Sequence, residues 1–294
     1  ISSKIEHHAV LNCVEFLEAQ HSIDLQFVDL NESGSVDISH LEELLAQDSS
    51  AKTLVSLMHI NNEIGNILDL KAVGNLCKNY QAYFHSDTVQ SIGHYDINLS
   101  DLPVDFVAVS AHKFHGPKGA GFLYVKSRSL LKPLIHGGSQ ERELRAGTES
   151  VHNVIGLQKA MELAYANLAE DSAYIKSLKQ YFIEALKKEI PGVKFNGLSG
   201  DLEKSTYTLV NVSIPLSTSE ADMMLFQLDL KGIACSKGSA CQSGAQLGSF
   251  VLNEIYGDAL EHPGIRFSFS KYTTKEELDY VISTLKDLAI SKAN

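Results

Sequence analysis

A lysine preceded by a hydroxyl and an imidazole follows directly after an apolar stretch of the chain. The segment reads Ser110-Ala111-His112-Lys113, and residues 104–109 before it are mostly apolar. A lysine that follows a buried strand needs a partner or a chemical task, and it can form a Schiff base with an aldehyde once its pKa is lowered. The neighbouring hydroxyl and imidazole could hold a phosphate. Taken alone, the segment is equally well explained as a basic surface loop.

Two further polar clusters follow apolar stretches. Asp87 and Gln90 come after one of them, where a carboxylate could pair with a protonated ring nitrogen. A helix N-cap is the more common role of such an aspartate. Asn61 and Asn62 come after another, where asparagines usually form a turn but could equally donate amide hydrogen bonds to a ligand oxygen.

The first half of the chain alternates predicted strands with predicted helices. The predicted strands span 24–30, 53–58, 82–86, 104–110 and 119–125, and the helices span 10–19, 37–45 and 70–80. This alternation predicts an α/β fold with a mostly parallel sheet covered by helices on both faces. Ligands bind at the carboxyl ends of the strands in such sheets, so we expect one crevice to gather the three polar clusters.

The second half has the pattern of an α+β domain. Helices are predicted over 151–168, 173–190 and 219–230, and short strands over 193–196, 208–214, 232–235 and 265–269. A capping box at 274–277 predicts the start of a final helix that runs to about residue 291. We place the boundary near residue 160, which gives a large α/β domain over 1–160 and a smaller α+β domain over 161–294.

Composition and charge exclude several classes of protein. The 294 residues are 44% hydrophobic and carry a net charge of −11, which indicates a globular protein and disfavours nucleic acid as a partner. No apolar run approaches the roughly 18 residues of a membrane span, and no secretion signal is visible. The chain does not begin with Met, and we expect its natural N-terminal part to precede Ile1.

The cysteines and histidines do not form a metal-site pattern. The four cysteines contain no Cys-x-x-Cys pair, and the histidine pairs at 7–8 and 112–115 lack an evident third ligand. We therefore predict no bound metal. So few cysteines without a secretion signal suggest a reducing cytosol, where a thiol can work as a nucleophile.

These segments together resemble the cysteine desulfurases, which are fold-type I enzymes of the class-V aminotransferase group and use pyridoxal 5′-phosphate (PLP). The resemblance rests on Ser-x-His-Lys at 110–113 and on Asn-Asn-Glu-Ile-Gly at 61–65. It also rests on Asp-x-x-Gln at 87–90, the glycine- and arginine-containing stretch 136–148 and Glu-His at 6–7. It covers nearly the whole chain.

The resemblance implies roles for individual residues. Lys113 would bind PLP covalently, Asp87 would pair with its ring nitrogen, and His7 would stack over its ring. Ser110 and His112 would hold its phosphate.

Further roles follow from the same resemblance. Asn62 and Gln90 would contact the region of the phenolic oxygen, and Thr148 would reach the phosphate in the partner subunit of a homodimer. Arg266, in an apolar strand, needs an anion, and the carboxylate of L-cysteine is its expected ligand. A structural salt bridge is the alternative for this arginine.

Cys241 distinguishes this sequence from plain aminotransferases, which need no thiol. It lies in Gly-Ser-Ala-Cys at 238–241, and the small residues around it predict a mobile, exposed loop. Cys235 ends an apolar stretch and is expected to be a buried, inert thiol. The resemblance therefore places a persulfide on Cys241. The long stretch from Cys241 to Arg266 resembles group I, the type that serves iron–sulfur cluster assembly, and it implies a sulfur-acceptor or scaffold protein as a partner.

Three features depart from the family pattern. No Ala-Thr-Glu phosphate loop is present, Ser139 and Ser270 replace usual glycines, and Lys237 lies in the cysteine segment. A selenocysteine lyase or a class-V aminotransferase is the nearest alternative. An inactive scaffold or regulatory paralogue is the alternative of a different class.

Overall fold

The structure is a computed structural model that describes residues 1–47, 52–127, 131–215, 218–237, 248–257 and 264–290. The chain forms two compact units, which are described separately. The first comprises Ile1, Leu45–His59 and Asp69–Leu168, and the second comprises Ser2–Leu44, Ile60–Leu68 and Ala169–Asn294. The domain boundary near residue 160 stays a prediction.

The first unit contains a four-stranded sheet. Its strands, in spatial order, are β1 (Leu54–Ser56), β2 (Tyr83–Asp87), β3 (Phe106–Ser110) and β4 (Gly121–Val125). β1, β2 and β3 are parallel, whereas β4 is antiparallel to β3. The helices α3 (Leu70–Asn79) and α4 (Val151–Ala166) belong to the same unit. The mostly parallel α/β fold is confirmed.

Close backbone approach at β4 explains one glycine of this sheet. A Cβ atom added at Gly121 would lie 2.3 Å from the carbonyl oxygen of Val109. Val107 and Val109 on β3 are buried, and the alternate residues Phe106, Ala108 and Ser110 are half-buried. This alternation is typical of a strand whose two faces differ in burial.

The second unit combines helices with a three-stranded antiparallel sheet. The strands, in spatial order, are β5 (Lys194–Phe195), β6 (Leu209–Ser213) and β7 (Gly264–Ser268). The helices are α1 (His8–Ala19), α2 (Ile38–Gln47), α5 (Leu168–Glu189), α6 (Thr218–Leu230), α7 (Phe250–Tyr256) and α8 (Lys275–Ile290). The capping box is confirmed, because Thr274 N donates to Glu277 Oε2 at 2.8 Å and Glu277 N donates to Thr274 Oγ1 at 3.2 Å.

Two of the predicted strands are wrong. Residues 24–30 form only isolated bridges, since Phe27 pairs with the single residue Ser2 before the chain turns. Residues 232–235 follow the end of α6 as a turn, where Ile233 N donates to Leu228 O at 2.9 Å. Ser236, just after the second segment, likewise forms only an isolated bridge, with Arg266. The short helix α7 was not predicted.

Among the described residues, no helix is both long and apolar enough to cross a membrane.

A buried lysine lies in the core of the second unit. Lys179 on α5 is fully buried, and its Nζ donates to Ser205 Oγ and to the carbonyl oxygen of Thr206, each at 2.7 Å. Burial lowers the pKa of Lys179 to about 7, and the negative charge of Asp201 partly opposes this effect. The folded protein therefore favours the neutral amine at a pH where the unfolded chain keeps it charged.

This difference predicts a pH-dependent stability. Between about pH 7 and pH 10 the unfolded chain binds the lysine proton and the folded chain does not, so the free energy of unfolding rises with pH. The contribution of this one group is up to about 1.4 kcal/mol per pH unit. Lys179→Met should remove it. Urea unfolding of wild type and variant across this range measures the difference in slope, and equal slopes would contradict the assignment.

Candidate active site

The lysine segment forms a short 3-10 helix at the end of β3. This helix spans Ala111–Phe114, with Ala111 and Phe114 buried and with His112 and Lys113 exposed. Ser110, at its N-cap position, is half-buried. The two apolar side chains anchor the segment, so the polar side chains between them face solvent. Burial, followed by the positive charges of Lys113 and Lys118, lowers the pKa of His112.

A tight turn closes the lysine segment. Gly116 N donates to the carbonyl oxygen of Ala111 at 2.9 Å, and Ala111 N donates to the carbonyl oxygen of Ala120 at 3.0 Å. A Cβ atom added at Gly116 would lie 2.8 Å from the Cβ of Ala111. A larger residue at position 116 would therefore displace the backbone that presents Lys113.

His94 supports the lysine segment through a backbone contact, and it was not among the residues predicted from the sequence. Its Nε2 lies 2.9 Å from the carbonyl oxygen of Lys113. A carbonyl oxygen can only accept, so Nε2 carries the proton. Burial lowers the pKa of His94 and favours the neutral ring, although the bond to Lys113 opposes this effect. Gly93 packs against Phe114, because a Cβ atom at position 93 would lie 2.6 Å from the Phe114 Cβ.

Asp87 ends the strand next to the lysine strand. Its side chain is buried, and Oδ1 accepts from Val89 N at 2.9 Å. The carboxylate thus stabilises a turn, and the helix N-cap alternative is wrong because a turn follows β2. Asp87 pairs in register with Ala108, two residues before Ser110. The sheet therefore brings Asp87 and the lysine segment to the same edge.

The asparagine pair belongs to the second unit, where its two members differ in role. Asn61 Oδ1 accepts from Glu63 N at 2.9 Å and from Ile64 N at 3.0 Å, which confirms the predicted turn. Asn62 is half-buried, and its Oδ1 is a buried atom with no hydrogen-bond partner in the described part of the chain. A buried acceptor of this kind indicates an unmet ligand contact.

Arg266 contacts this turn directly. It lies in β7 and is half-buried, and its Nη1 donates to the carbonyl oxygen of Asn62 at 2.7 Å. This bond fixes the position of the guanidinium group beside the turn.

His7 has a structural role that the sequence did not reveal. It is the N-cap of α1, and its Nδ1 accepts from Ala9 N at 3.1 Å. A ring nitrogen that accepts a hydrogen bond carries no proton, so His7 is neutral in this arrangement.

The remaining predicted residues divide as follows. Gln90 is half-buried and lies three residues after Asp87. Thr148 is exposed and lies between the 3-10 helix Gln140–Glu143 and α4.

Cys241 and its predicted loop lie outside the described residues. Cys235 is half-buried, and burial, followed by the charge of Asp229, raises the pKa of its thiol to about 11. A thiol with such a pKa is a poor nucleophile at neutral pH.

The described residues fit PLP. The first unit provides an exposed amine at Lys113 and a buried carboxylate at Asp87, with the hydroxyl and imidazole of the lysine segment nearby in sequence. In the described part of the chain, no three His, Cys, Asp or Glu side chains cluster as a metal site.

Comparison with known proteins identifies the family. The class-V aminotransferase profile matches residues 1–281. The chain is 40% identical to cysteine desulfurase IscS of Dictyoglomus turgidum, over 97% of this chain and 71% of that protein. It is 39% identical to cysteine desulfurase IscS of Clostridium botulinum strain Hall, over 97% of this chain and 70% of that protein.

Solved structures agree with the sequence comparison. The NifS-like protein of Rickettsia africae superposes with a TM-score of 0.86 at 32% identity, over 98% of this chain and 74% of that one. SspA, solved in complex with cysteine, superposes with a TM-score of 0.76 at 30% identity, over 93% of this chain and 74% of that one. The chain therefore belongs to the class-V aminotransferase family and, within it, to the PLP-dependent cysteine desulfurases.

Proposed function

We propose that this chain converts L-cysteine to L-alanine and takes the sulfur as a persulfide on Cys241. The observation that carries the proposal is that the exposed Lys113 and the buried Asp87 lie at the same sheet edge, after two neighbouring parallel strands. The Gly-Ser-Ala-Cys sequence adds the thiol that a desulfurase needs. Formation of alanine and sulfide from L-cysteine, with PLP and a thiol reductant present, tests the proposal.

The cofactor would be held chiefly by residues of the first unit. Lys113 would bind it covalently, Ser110 and His112 would hold its phosphate, and Asp87 would pair with its ring nitrogen. Gln90 and Asn62 would contact its phenolic oxygen region, and His7 would stack on its ring. When bound, PLP supplies an electron sink for the bond cleavages at the amino acid.

Substrate binding and proton transfer fall to other side chains. Arg266 would bind the substrate carboxylate through its guanidinium group, with Asn62, whose carbonyl oxygen it contacts, beside it. The amine of Lys113 would move the Cα proton once the substrate has displaced it. His7 is the second residue that the family resemblance assigns to this proton transfer, and it would have to give up the bond of its Nδ1 to Ala9 N to accept the proton there.

Sulfur transfer to Cys241 needs no external oxidant. The Cys241 thiolate attacks the substrate sulfur, the new S–S bond forms, and the substrate Cβ–S bond breaks. The bonding electron pair stays with Cβ, which is protonated to the methyl group of alanine. The net reaction is L-cysteine plus the Cys241 thiol giving L-alanine plus a persulfide on Cys241.

Asp87→Asn is expected to lower alanine formation by about a hundredfold, because an amide cannot stabilise a protonated ring nitrogen as a carboxylate does. The fold should be retained, since the amide oxygen can still accept from Val89 N. Steady-state kinetics and thermal melting measure the two effects. Normal turnover in this variant would mean that the electron sink depends on another residue.

We further propose a homodimer in which Thr148 reaches the partner subunit's cofactor phosphate. Apolar side chains that are exposed in the single chain support a subunit interface near Thr148. Val151, Val154 and Ile155 on α4 are 64%, 54% and 58% exposed. Light scattering of the purified protein tests this directly. An active monomer would overturn it.

The persulfide needs an acceptor. We propose that a scaffold protein for iron–sulfur cluster assembly receives the sulfur, as expected for the group I type. The reducing cytosol is the proposed compartment, because it keeps Cys241 available as a thiol.

A further inference from the structure

The carbonyl oxygen of Lys113 lies near the end of a short 3-10 helix, where the backbone runs out of helical partners. The two N–H groups that follow this helix, those of His115 and Gly116, both donate to the carbonyl oxygen of Ala111. The last carbonyl groups of a helix have no partner within it and need one elsewhere. His94 supplies such a partner, because its Nε2 donates to the carbonyl oxygen of Lys113 at 2.9 Å.

The residue that ends this helix has an unusual backbone conformation. His115 has a φ of 66°, in the left-handed region that residues other than glycine rarely adopt. A conformation of this kind persists only where the surrounding contacts hold it. The bond from His94 acts two residues before this position and is one of those contacts. We therefore expect the peptide after Lys113 to change its orientation when the bond is lost.

His94 ends a series of turns that begins at Asp87. The Oδ1 of Asp87 accepts from Val89 N at 2.9 Å. Ser91 N then donates to the carbonyl oxygen of Thr88 at 2.9 Å, and His94 N donates to that of Ser91 at 3.0 Å. Consecutive hydrogen-bonded turns therefore join the carboxylate at one end of this segment to the imidazole at the other.

The same segment is bound to the strand that leads to the lysine. The N–H and the hydroxyl of Thr88 both donate to the carbonyl oxygen of Ala108 in β3, each at 3.0 Å. His94 makes a second link, to Lys113 just after β3. All of these residues belong to the first unit. Beyond the pairing of the two strands, the spacing between Asp87 and Lys113 is thus fixed by Thr88 and by His94.

The residue before His94 packs against the lysine segment as well. Gly93 has a φ of 83°, and a Cβ atom added there would lie 2.6 Å from the Cβ of Phe114. The backbone at position 93 is therefore in close contact with the residue next to Lys113. The polar bond from His94 and the apolar contact at Gly93 hold two adjacent residues of the same short helix.

We infer that His94 is a positioning residue for the amine of Lys113: by binding the carbonyl oxygen of Lys113, it fixes the backbone from which the amine reaches the aldehyde carbon of PLP. This inference rests on the proposed function. In this step the Lys113 nitrogen forms a C=N bond with the aldehyde carbon, and the aldehyde oxygen leaves as water with the two protons of the neutral amine. A nucleophile held in the correct orientation reacts faster than one that must search for it.

The inference predicts a split between two measurements on the full chain after its cofactor has been removed. Pyridoxamine 5′-phosphate has an amine in place of the aldehyde, so it cannot form the C=N bond, and its affinity reports the noncovalent contacts alone. The rate of PLP capture, followed by absorbance and by borohydride trapping on Lys113, also reports the placement of the lysine amine. A positioning defect slows capture without weakening affinity, whereas a general structural defect changes both.

The test replaces His94 and measures both quantities. His94→Leu removes the N–H donor at similar volume, and we expect the rate constant of PLP capture to fall about tenfold or more. The dissociation constant of pyridoxamine 5′-phosphate should change less than about twofold, because its contacts do not depend on the lysine amine. His94→Gln carries an amide N–H at a reach similar to that of Nε2 and should recover most of the rate.

His94→Asn provides a second test that keeps a polar side chain. Its amide is too short to reach the carbonyl oxygen of Lys113, so this variant should be as slow as His94→Leu. It serves as the test if the Leu variant does not fold. Capture at the wild-type rate in both variants, or equal slowing in His94→Gln and His94→Leu, would contradict the inference.

Tyr165→Phe is the matched control. It removes the hydrogen bond that Tyr165 Oη accepts from Gly93 N at 3.5 Å, immediately before His94, without removing the donor to Lys113. Capture of PLP and binding of pyridoxamine 5′-phosphate should both be unchanged in this variant. A parallel loss of both in His94→Leu, or slowed capture alone in Tyr165→Phe, would overturn the inference.

Peptide mapping of the trapped protein separates the two proposals. If the wild type carries the pyridoxyl group on Lys113 and His94→Leu captures PLP at the same rate, the positioning role fails and the proposed function stands. If the wild type carries no pyridoxyl group on Lys113, both fail.

Discussion

Lys113→Ala should lose at least about a thousandfold of its activity on L-cysteine, because it removes both the covalent attachment of PLP and the amine that moves the Cα proton. The fold around it should survive. Lys113 is exposed, and the segment is anchored by the buried Ala111 and Phe114 and by the bond of His94 to the backbone carbonyl oxygen at position 113. Steady-state alanine formation and thermal melting measure these two outcomes.

Lys118→Ala is the matched control for this prediction. Lys118 is also exposed and lies five positions further along the same turn. Borohydride reduction of the PLP-loaded wild type, followed by peptide mapping, should find the pyridoxyl group on Lys113. A pyridoxyl group on Lys118, or near-normal activity in Lys113→Ala, would show that the lysine is wrongly assigned.

Cys241→Ala should bind PLP and L-cysteine normally but lose sulfur release by at least about a thousandfold, because the nucleophile of the sulfur step is absent. Activity on L-selenocysteine should be retained in part. Absorbance of the bound cofactor, together with alanine and sulfide assays, distinguishes loss of binding from loss of chemistry.

Cys235→Ala is its control. The pKa of this thiol is raised to about 11, so it should remain protonated at neutral pH. We expect nearly wild-type turnover and a loss of about 1 kcal/mol in the free energy of unfolding. Loss of sulfur release in Cys235→Ala would show that Cys235, and not Cys241, is the nucleophile.

Sequence patterns predicted the parts of the fold that depend on local periodicity. The apolar stretches before Asp87 and Lys113 are strands, and they bring the two polar clusters to one sheet edge because both end in the same direction. The stretch 24–30 also contains several apolar residues, but it forms only two isolated bridges, Phe27 with Ser2 and Leu30 with Val36. Pairing across distant segments decides whether an apolar stretch becomes a strand, and periodicity does not report it.

The contacts that support the candidate site could not be predicted from the sequence, for the same reason. The bond between His94 and the Lys113 carbonyl oxygen joins positions 19 apart, and the bond between Arg266 and the Asn62 carbonyl oxygen joins positions 204 apart. A signal for His94 was available in the glycine before it, which permits close packing against Phe114.

The most direct test of the account locates the sulfur itself. The purified, PLP-loaded protein is mixed with one equivalent of L-cysteine, treated with an alkylating reagent that preserves persulfides, digested and analysed by mass spectrometry. The account predicts one additional sulfur atom on the peptide that contains Cys241, formed together with an equal amount of alanine. Additional sulfur on Cys13, Cys77 or Cys235, or alanine formed with Cys241 unmodified, would contradict it.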